Sequence, residues 1–370
     1  MSLTSEAFSS IVLQRLPGLT QSQALQVLRH YGTAEAALSD RGSASQKWSE
    51  ALADVSGMNA ARERAEKEMD FCAAHDIDVL PISHPKYPVL LAECPDPPVV
   101  LFFRGNAALN RRHVVSVVGT RRITDYGRHL CHELCTELGR MLPDALVVSG
   151  LAYGVDIHAH RAALASGLDT VGVLAHGLDR IYPNLHRNTA AEMVRQGGLL
   201  TEYLTGTNPD KGNFVRRNRI VAGMSPLTIV VESADKGGAL ITARLAGGYG
   251  REVAAFPGRA GDEFSAGCNR LILRKEAELV TCAEDVLQMM NWKTQAVSEQ
   301  PSQPQLFPES EFSPEAQAVL DVLRGTDGLS QNQIIEQTRL DPHVVGSTLS
   351  MLLIEGTIRK LQAANAYALM

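Results

Sequence analysis

Apolar runs alternate with amphipathic helical stretches along residues 114–290. The first run, V-V-S-V-V at 114–118, is β-branched except for Ser116, which is typical of a parallel strand covered on both faces. Gly119 ends the run, and Thr124 is a good N-cap for a helix. That helix carries leucines on one face at positions 130, 134, 138 and 142. The pattern predicts a strand, a tight turn and a helix.

Five further apolar runs follow, at residues 145–148, 170–174, 199–201, 227–231 and 252–256, with helical stretches such as 156–165 and 239–249 between them. Nearly all-apolar strands that alternate with helices predict an α/β fold with a Rossmann-like, doubly wound, mostly parallel sheet. Ligands of such sheets bind beyond the carboxyl ends of the strands. The turns predicted to lie there are Gly119-Thr120-Arg121, Ser149-Gly150 and Glu232-Ser233.

Helical segments precede the predicted sheet. Residues 1–75 contain short helices that are separated by L-P-G-L-T at 16–20. A helical packing domain and a SAM-like or helix-hairpin-helix-like module that meets the DNA backbone both fit this pattern. Residues 76–110 are rich in proline, which predicts an irregular connector leading into a strand. We therefore predict a helical N-terminal domain at 1–75, then a connector and Rossmann-like core at 76–290.

A polar segment with three prolines at 291–311 predicts a flexible linker. Within it, Gln303, Leu306 and Phe307 match the spacing of a short peptide that docks on the replication sliding clamp. A chance match is the simpler explanation in a Gln/Pro-rich linker.

Residues 312–370 predict a compact winged-helix-like domain. Helix starts are indicated at Ser313-Pro314, Ser330 and Asp341-Pro342, and an alternating stretch then predicts a small hairpin. The third helix would read DNA in a helix-turn-helix protein, but it contains no Arg or Lys. A role in protein contact is therefore at least as well supported as duplex reading.

Composition narrows the class of protein. The chain has 370 residues and is 45% hydrophobic, which is enough to bury a sizeable core. Because its net charge is −6, a nucleic-acid contact must come from a local basic patch. No apolar stretch reaches the roughly 18 residues of a membrane helix, and the N-terminus lacks a signal-peptide pattern. Six cysteines show no C-x-x-C pair, and Cys131 and Cys135 are predicted to be buried thiols. We expect a cytoplasmic protein with no membrane contact.

The main basic patch is K-G-N-F-V-R-R-N-R-I-V-A at 211–222, which combines four cations with Phe214 and contains no acid. Cations follow phosphates and a ring stacks on a base, so this combination suits a single strand of nucleic acid. The alternative is a solvated helix end. It is disfavoured because Ile220 and Val221 should hold the segment against the sheet.

Four enzymatic signatures are incomplete or absent. A nucleophile elbow at Ser149 would need glycine at position 147, which is valine. Asp156, His158 and His160 begin a helix, where residues two apart do not share a face, so a metal site is disfavoured. The sequence contains no P-loop, and no G-x-G-x-x-G follows the first strand. We expect no catalytic residue, metal or cofactor.

Six motifs occur in order along the chain: V-V-G-T-R-R, S-G-L-A-Y-G-V-D, A-H-G-L-D-R-I-Y-P, F-V-R-R-N-R-I-V-A-G, V-V-E-S-A-D-K-G-G-A-L-I-T-A and F-P-G-R. Together they resemble the DNA-processing protein A family (DprA, also called Smf) over nearly the whole chain. The resemblance implies a homodimeric recombination mediator that protects single-stranded DNA, without sequence preference, and loads the recombinase RecA in natural transformation. It implies that the DNA-binding residues are Gly119, Thr120, Arg121, Ser149, Gly150, Phe214, Arg217, Asn218, Arg219, Lys236 and Gly237.

The sequence departs from the family pattern at two positions. Thr120 stands where serine is commoner, and Glu276 stands where glycine is usual. The rival class is a nucleotide phosphoribohydrolase, which shares this Rossmann variant and follows a later strand with P-G-G-x-G-T-x-x-E. The chain keeps Gly237-Gly238 there but lacks both the leading proline and the glutamate, so a binding protein is favoured over the hydrolase.

Overall fold

The structure is a computed structural model that describes residues 3–40, 48–293, 313–324, 326, 328–354, 357–361 and 366–369. The chain forms two compact units, Met1–Ala296 and Val297–Met370. Most of the predicted linker, including the clamp-like peptide at Gln303 to Phe307, lies outside the described residues.

The first unit combines helices with one large sheet. Its helices are α1 (Leu3–Arg15), α2 (Gln21–Tyr31), α3 (Ala34–Ser39), α4 (Ser49–Ala53), α5 (Val55–Ala74), α6 (Val89–Ala92), α7 (Asp125–Met141), α8 (Val155–Ala165), α9 (Arg187–Arg195), α10 (Lys211–Gly223), α11 (Gly238–Gly248), α12 (Ala266–Leu273) and α13 (Ala283–Met289). Its strands are β1 (Asp78–Pro81), β2 (Val100–Gly105), β3 (Val114–Val118), β4 (Leu146–Ser149), β5 (Asp169–Val173), β6 (Gly197–Thr201), β7 (Leu227–Val230), β8 (Glu252–Ala255) and β9 (Glu278–Leu279).

The strand order in this sheet is β1-β2-β6-β5-β4-β3-β7-β8-β9. In this order, all neighbours in the stretch β6-β5-β4-β3-β7-β8-β9 pair in parallel. At one edge of the sheet, β1 pairs antiparallel with β2, and β2 pairs antiparallel with β6. The predicted α/β fold with a mostly parallel sheet is therefore confirmed. Successive strands run outward from β3 as far as β6, and β7 then returns to the other side of β3. This reversal is a topological switch point, the usual position of a ligand cleft.

Strand β3 is buried on both faces, as its sequence predicts. Val114 and Val118 belong to the apolar cluster on one face of the sheet, and Val115 and Val117 belong to the cluster on the other. Helix α7 covers the second face with the leucines that the sequence places four residues apart. Thr124 caps it, because the amide of Gly127 donates to its hydroxyl at 3.2 Å. This strand, turn and cap fix the position of the loop at residues 119–124.

The N-terminal helices pack directly on the sheet. Helices α1, α2 and α5 share an apolar cluster with Val100 and Phe102 of β2 and with Leu204. The L-P-G-L-T break separates α1 from α2, and Thr20 then begins α2 with a capping box to Gln23. Consequently the helical segment and the Rossmann-like core share one buried interface.

The second unit contains α14 (Pro314–Leu323), α15 (Gln331–Thr338) and α16 (Pro342–Ile354), with strands β10 (Leu329–Ser330), β11 (Ile358–Leu361) and β12 (Ala366–Leu369). Ser313 caps α14 and Ser330 caps α15. The three strands pair antiparallel in the order β10-β12-β11. Across the part of the chain that the structure describes, none of the helices has the length and apolar character needed to cross a bilayer.

Candidate nucleic-acid interface

A cleft of about 840 Å³ lies at the switch point. Its walls are the loop after β3, the loop after β4, helix α10 and the loop that leads from β7 into α11. Tyr182 and Phe264 close its sides. The carboxyl ends of parallel strands meet here, as the sequence predicts.

Helix α10 forms one wall of the cleft. Asp210 caps it by accepting a hydrogen bond from the amide of Asn213 at 2.8 Å. Lys211, Phe214 and Asn218 line the cleft, and positions three and four apart share one face of a helix. The helical spacing therefore sets one aromatic ring and several polar groups along a single groove.

The Phe214 ring is the centre of an aromatic and cationic group. The Arg121 guanidinium lies over this ring at 4.9 Å from its centroid, and the Tyr182 ring lies 6.0 Å from Phe214. Arg121 and Tyr182 are exposed and Phe214 is half-buried. An exposed cation over an aromatic face is held by its attraction to the ring quadrupole, yet it keeps N–H groups free for a phosphate.

Arg217 forms the floor of the cleft and is only 4% exposed. Its guanidinium donates to the Val173 carbonyl and lies 4.0 Å from the Asp156 carboxylate. Burial lowers the pKa of Arg217 and raises the pKa of Asp156, while their mutual attraction opposes both shifts. An arginine keeps its proton at neutral pH, so the floor carries a fixed positive charge beside a carboxylate. A side chain at Gly150 would collide with both groups, which explains glycine there.

His160 is fully buried and contacts the loop at Gly150. Its Nε2 lies 2.5 Å from the Gly150 carbonyl and its Nδ1 lies 2.7 Å from the Thr170 hydroxyl. Because a carbonyl only accepts, Nε2 carries the proton. The unprotonated Nδ1 faces the Thr170 hydroxyl, which also donates to the Val147 carbonyl at 3.0 Å. Burial lowers the pKa of His160 to about 4, so the ring is neutral. Among the described residues, no group of three or more His, Cys, Asp or Glu side chains could hold a metal ion.

Comparison with known proteins identifies the family. The family model described as DNA recombination-mediator protein A matches residues 78–291. The chain belongs to the DNA recombination-mediator protein A family. It is 36% identical to the DNA processing protein DprA of Streptococcus pneumoniae over 279 residues, which is 73% of this chain and 93% of that protein. It is 38% identical to the Bacillus subtilis DprA over 213 residues, or 57% of this chain and 71% of the relative.

Solved structures of the family share the fold. The crystal structure of the S. pneumoniae DprA matches with a TM-score of 0.64 at 31% identity, covering 78% of this chain and 98% of that chain. The Helicobacter pylori DprA matches with a TM-score of 0.53 at 30% identity, covering 58% of this chain and 95% of that chain. The latter structure describes a single-stranded DNA binding mode of the H. pylori protein.

The cleft brings together nine of the eleven residues that the resemblance to the recombination-mediator family implicates. They are Gly119, Thr120, Arg121, Gly150, Phe214, Arg217, Asn218, Lys236 and Gly237. Ser149 does not line it. Its hydroxyl is fully buried and donates to the Val117 carbonyl of the neighbouring strand, so Ser149 fastens β4 to β3 beneath the loop.

Arg219 requires a correction, because the structure places it outside the cleft. The side chain is 6% exposed and forms an ion pair with Glu202. Its guanidinium also donates to the Asp96 carbonyl at 2.7 Å and to the Gln21 side chain at 3.2 Å. Residues two apart on a helix point about 200° apart, so Arg217 and Arg219 lie on different faces of α10. Arg219 ties α2 and the connector to the core.

The residues of the cleft that the sequence prediction missed include Tyr182 and Asp156. Tyr182 belongs to the R-I-Y-P motif that resembles the family, but the motif by itself gives this residue no role. The sequence pattern at Asp156 suggests only a metal ligand, whereas the structure places its carboxylate beside Arg217. The motif at 175–183 and the helix start at 155–156 are the available signals, since both segments follow predicted strands.

Proposed function

We propose that the chain binds single-stranded DNA in the cleft at the switch point, without sequence preference. In this proposal it acts as a recombination mediator that protects incoming strands and loads RecA, by binding and not by catalysis. The observation that carries the proposal is the pair of Arg121 and Phe214 in a groove that also contains exposed Lys211 and Lys236. The single-stranded DNA binding mode described for the H. pylori relative supports it.

The cleft offers both contacts that a single strand needs. The exposed cations Arg121, Lys211 and Lys236 line it and are available to phosphates. Arg122 lies beside them and pairs with Glu263 at 3.8 Å. A base can stack on the free face of Phe214 or on Tyr182, since every base has a π-face. Stacking and phosphate contacts carry no information about base edges, so binding should tolerate all sequences. The buried Arg217 adds positive potential at the floor.

Assembly and the flanking regions complete the proposal. We propose a homodimer, because Leu273 is 83% exposed and Leu279 of the edge strand β9 is 50% exposed. Exposed leucines on and beside the edge strand of a sheet favour contact with another chain. We propose that residues 312–370 are a winged-helix-like domain and that residues 1–75 are a SAM-like or helix-hairpin-helix-like domain that packs on the core at 76–290.

Salt dependence tests the cleft directly. With about four phosphates neutralised, the slope of log affinity against log salt should be roughly −3, so raising salt from about 50 to 200 mM should weaken binding on the order of fiftyfold. Arg121→Ala should flatten the slope by about 0.7 and weaken all sequences alike. The matched control is Arg140→Ala, an exposed arginine at the end of α7 remote from the cleft. It should change neither the slope nor the affinity.

The aromatic contact has its own test. Phe214→Leu keeps apolar volume but removes the ring, so affinity should fall by about 1–3 kcal/mol with the salt slope unchanged. Phe214→Tyr should retain most of the affinity because its ring still stacks. If a folded Arg121→Ala, Phe214→Leu double variant binds single strands like the parent at every salt concentration, DNA binds elsewhere and the proposal is wrong.

The hydrolase alternative is tested separately. Incubation of the purified chain with nucleoside monophosphates should release no free base. Release that a substitution in the cleft abolishes would favour the phosphoribohydrolase over the mediator.

A further inference from the structure

The loop after β4 carries an exposed tyrosine at the border of the cleft. Ala152 of this loop lines the cleft, and Tyr153 follows it directly. Tyr153 is 47% exposed, and its ring contacts the ring of the buried His186 edge-on, with 5.0 Å between the centroids. Consecutive Cα atoms are about 3.8 Å apart. A strand that leaves the cleft past Ala152 therefore meets an exposed aromatic ring at once.

Cations continue this surface along α8. His158 and Arg161 lie three residues apart, so they share one face of the helix. Helix α7 packs beside α8 in one apolar cluster and carries Arg128 near its start. Burial lowers the pKa of His158, and the nearby charges of Arg128 and Arg161 lower it further, so both guanidinium groups lie near this imidazole. We call Tyr153, Arg128, His158 and Arg161 the α8 patch.

A groove of about 610 Å³ between α8 and α9 extends the α8 patch. The exposed cations Arg161 and Arg195 both line it. Arg161 donates from Nε to the Thr189 hydroxyl at 3.3 Å, which holds the side chain at the groove. That bond uses one of the five N–H groups of the guanidinium. The others are suited to a phosphate, because a guanidinium can bind two phosphate oxygens at once.

Two acids border this surface without neutralising it. Asp125 pairs with Arg128, but both side chains are exposed, and exposed ion pairs are weak enough for a phosphate to replace the carboxylate. Glu192 lies in the groove together with two cations, Arg161 and Arg195. On a chain of net charge −6, a local excess of cations beside an exposed ring suits a single strand. An acidic protein segment would use the cations alone.

We propose that the single strand leaves the cleft past Ala152, stacks a base on Tyr153 and continues over Arg128 and Arg161 toward the groove between α8 and α9. This inference rests on the proposed function, because the cleft must hold the first part of the strand. It adds a second segment to the DNA site. Strands that reach the α8 patch should neutralise about two more phosphates, so their salt slope should be steeper by about 1.4.

Fluorescence anisotropy with thymidine oligonucleotides of two lengths tests this inference. A strand of about 5 nucleotides carries about four phosphates, the number assigned to the cleft, whereas one of about 16 nucleotides can also reach the α8 patch. Arg161→Ala should flatten the slope for the longer strand by about 0.7 and leave the slope for the shorter strand unchanged. Tyr153→Leu should weaken the longer strand about tenfold at the parental slope. Tyr153→Phe keeps the ring and should bind like the parent.

Comparing variants at one length cancels any gain that a longer strand makes by bridging two protomers. Arg140→Ala, at the far end of α7 from Arg128, is the matched control and should bind both lengths like the parent. Arg121→Ala should weaken both lengths, because it acts in the cleft. If Arg121→Ala weakens both lengths while Arg161→Ala and Tyr153→Leu bind like the parent, this inference fails and the proposed function stands.

Other results overturn the inference in different ways. Equal salt slopes for the two lengths in the parent would show that the strand makes no phosphate contact beyond the cleft. Loss of affinity in Arg161→Ala but not in Tyr153→Leu would show that the α8 patch attracts anions without holding a base, which favours an acidic protein segment there. Both substitutions are at exposed residues, so both variants should fold.

Discussion

Replacement of Arg219 by alanine should lower the free energy of unfolding without altering DNA binding. Arg219 is buried against Glu202, the Asp96 carbonyl and Gln21. Without the guanidinium, the Glu202 carboxylate stays buried and uncompensated. Breaking a buried ion pair from one side costs about 3–5 kcal/mol, so the free energy of unfolding should fall by that amount. Arg216→Ala, an exposed neighbour on α10, should change it by less than about 0.5 kcal/mol.

The fall in the free energy of unfolding of the Arg219→Ala variant should depend on pH, and the sign of this dependence can be worked out. Burial raises the pKa of Glu202, and Arg219 is the largest influence that lowers it. Removal of Arg219 should therefore raise the folded-state pKa further above the unfolded value. The folded variant then binds more protons than the unfolded chain between the two pKa values, so its stability falls as pH rises through that window. The free energy of unfolding of the variant should be closest to that of the parent at acidic pH. It should fall by up to about 1.4 kcal/mol per pH unit as the pH rises through the window.

Urea unfolding followed by tryptophan fluorescence measures this effect. Both tryptophans, Trp48 and Trp292, belong to the first unit, so the signal reports that unit alone. DNA binding by the folded Arg219→Ala variant should show the parental salt slope. A flattened slope with unchanged stability would refute the assignment of Arg219 to the buried junction and would return it to the DNA site.

The other predictions concern the tail, the edge strand and the thiols. A chain ended at Lys293, which keeps Trp292 on the core, should retain single-strand affinity to within about tenfold; a larger loss with the fold intact would show that the tail contributes. Sedimentation at micromolar concentration should show a dimer for the parent and a monomer for Leu279→Lys, while Val55→Lys, at a residue 72% exposed on α5, should remain dimeric. Of the six cysteines, all of them at described positions, Cys282 alone is half-buried. It should react first with a thiol reagent in the native protein, because burial raises the pKa values of Cys72, Cys131, Cys135 and Cys268; modification of two or more thiols at the same rate would contradict this.

The sequence by itself determined the elements and the composition of the cleft. The β-branched run at 114–118, Thr124 as N-cap and the leucine spacing of α7 are local patterns, and each corresponds to an observed element. The turn at 119–121 and the basic segment at 211–222 carry the charges and the ring that meet in the cleft. These features depend on short-range sterics and on which face of an element is apolar, so they can be predicted from neighbours in the chain.

Only the tertiary structure decided which charges face the cleft. The composition of the basic segment does not determine which face of the helix lines the cleft. In the structure, Arg217 of α10 points into the cleft and Arg219 points toward α2. The sheet order decided this, because β7 returns beside β3 and α10 must cover the sheet between the cleft and the N-terminal helices. The pairing of β2 with β6 and the ion pair of Arg219 with Glu202 join residues distant in the chain. Such contacts arise from packing of whole elements, which local sequence patterns do not encode.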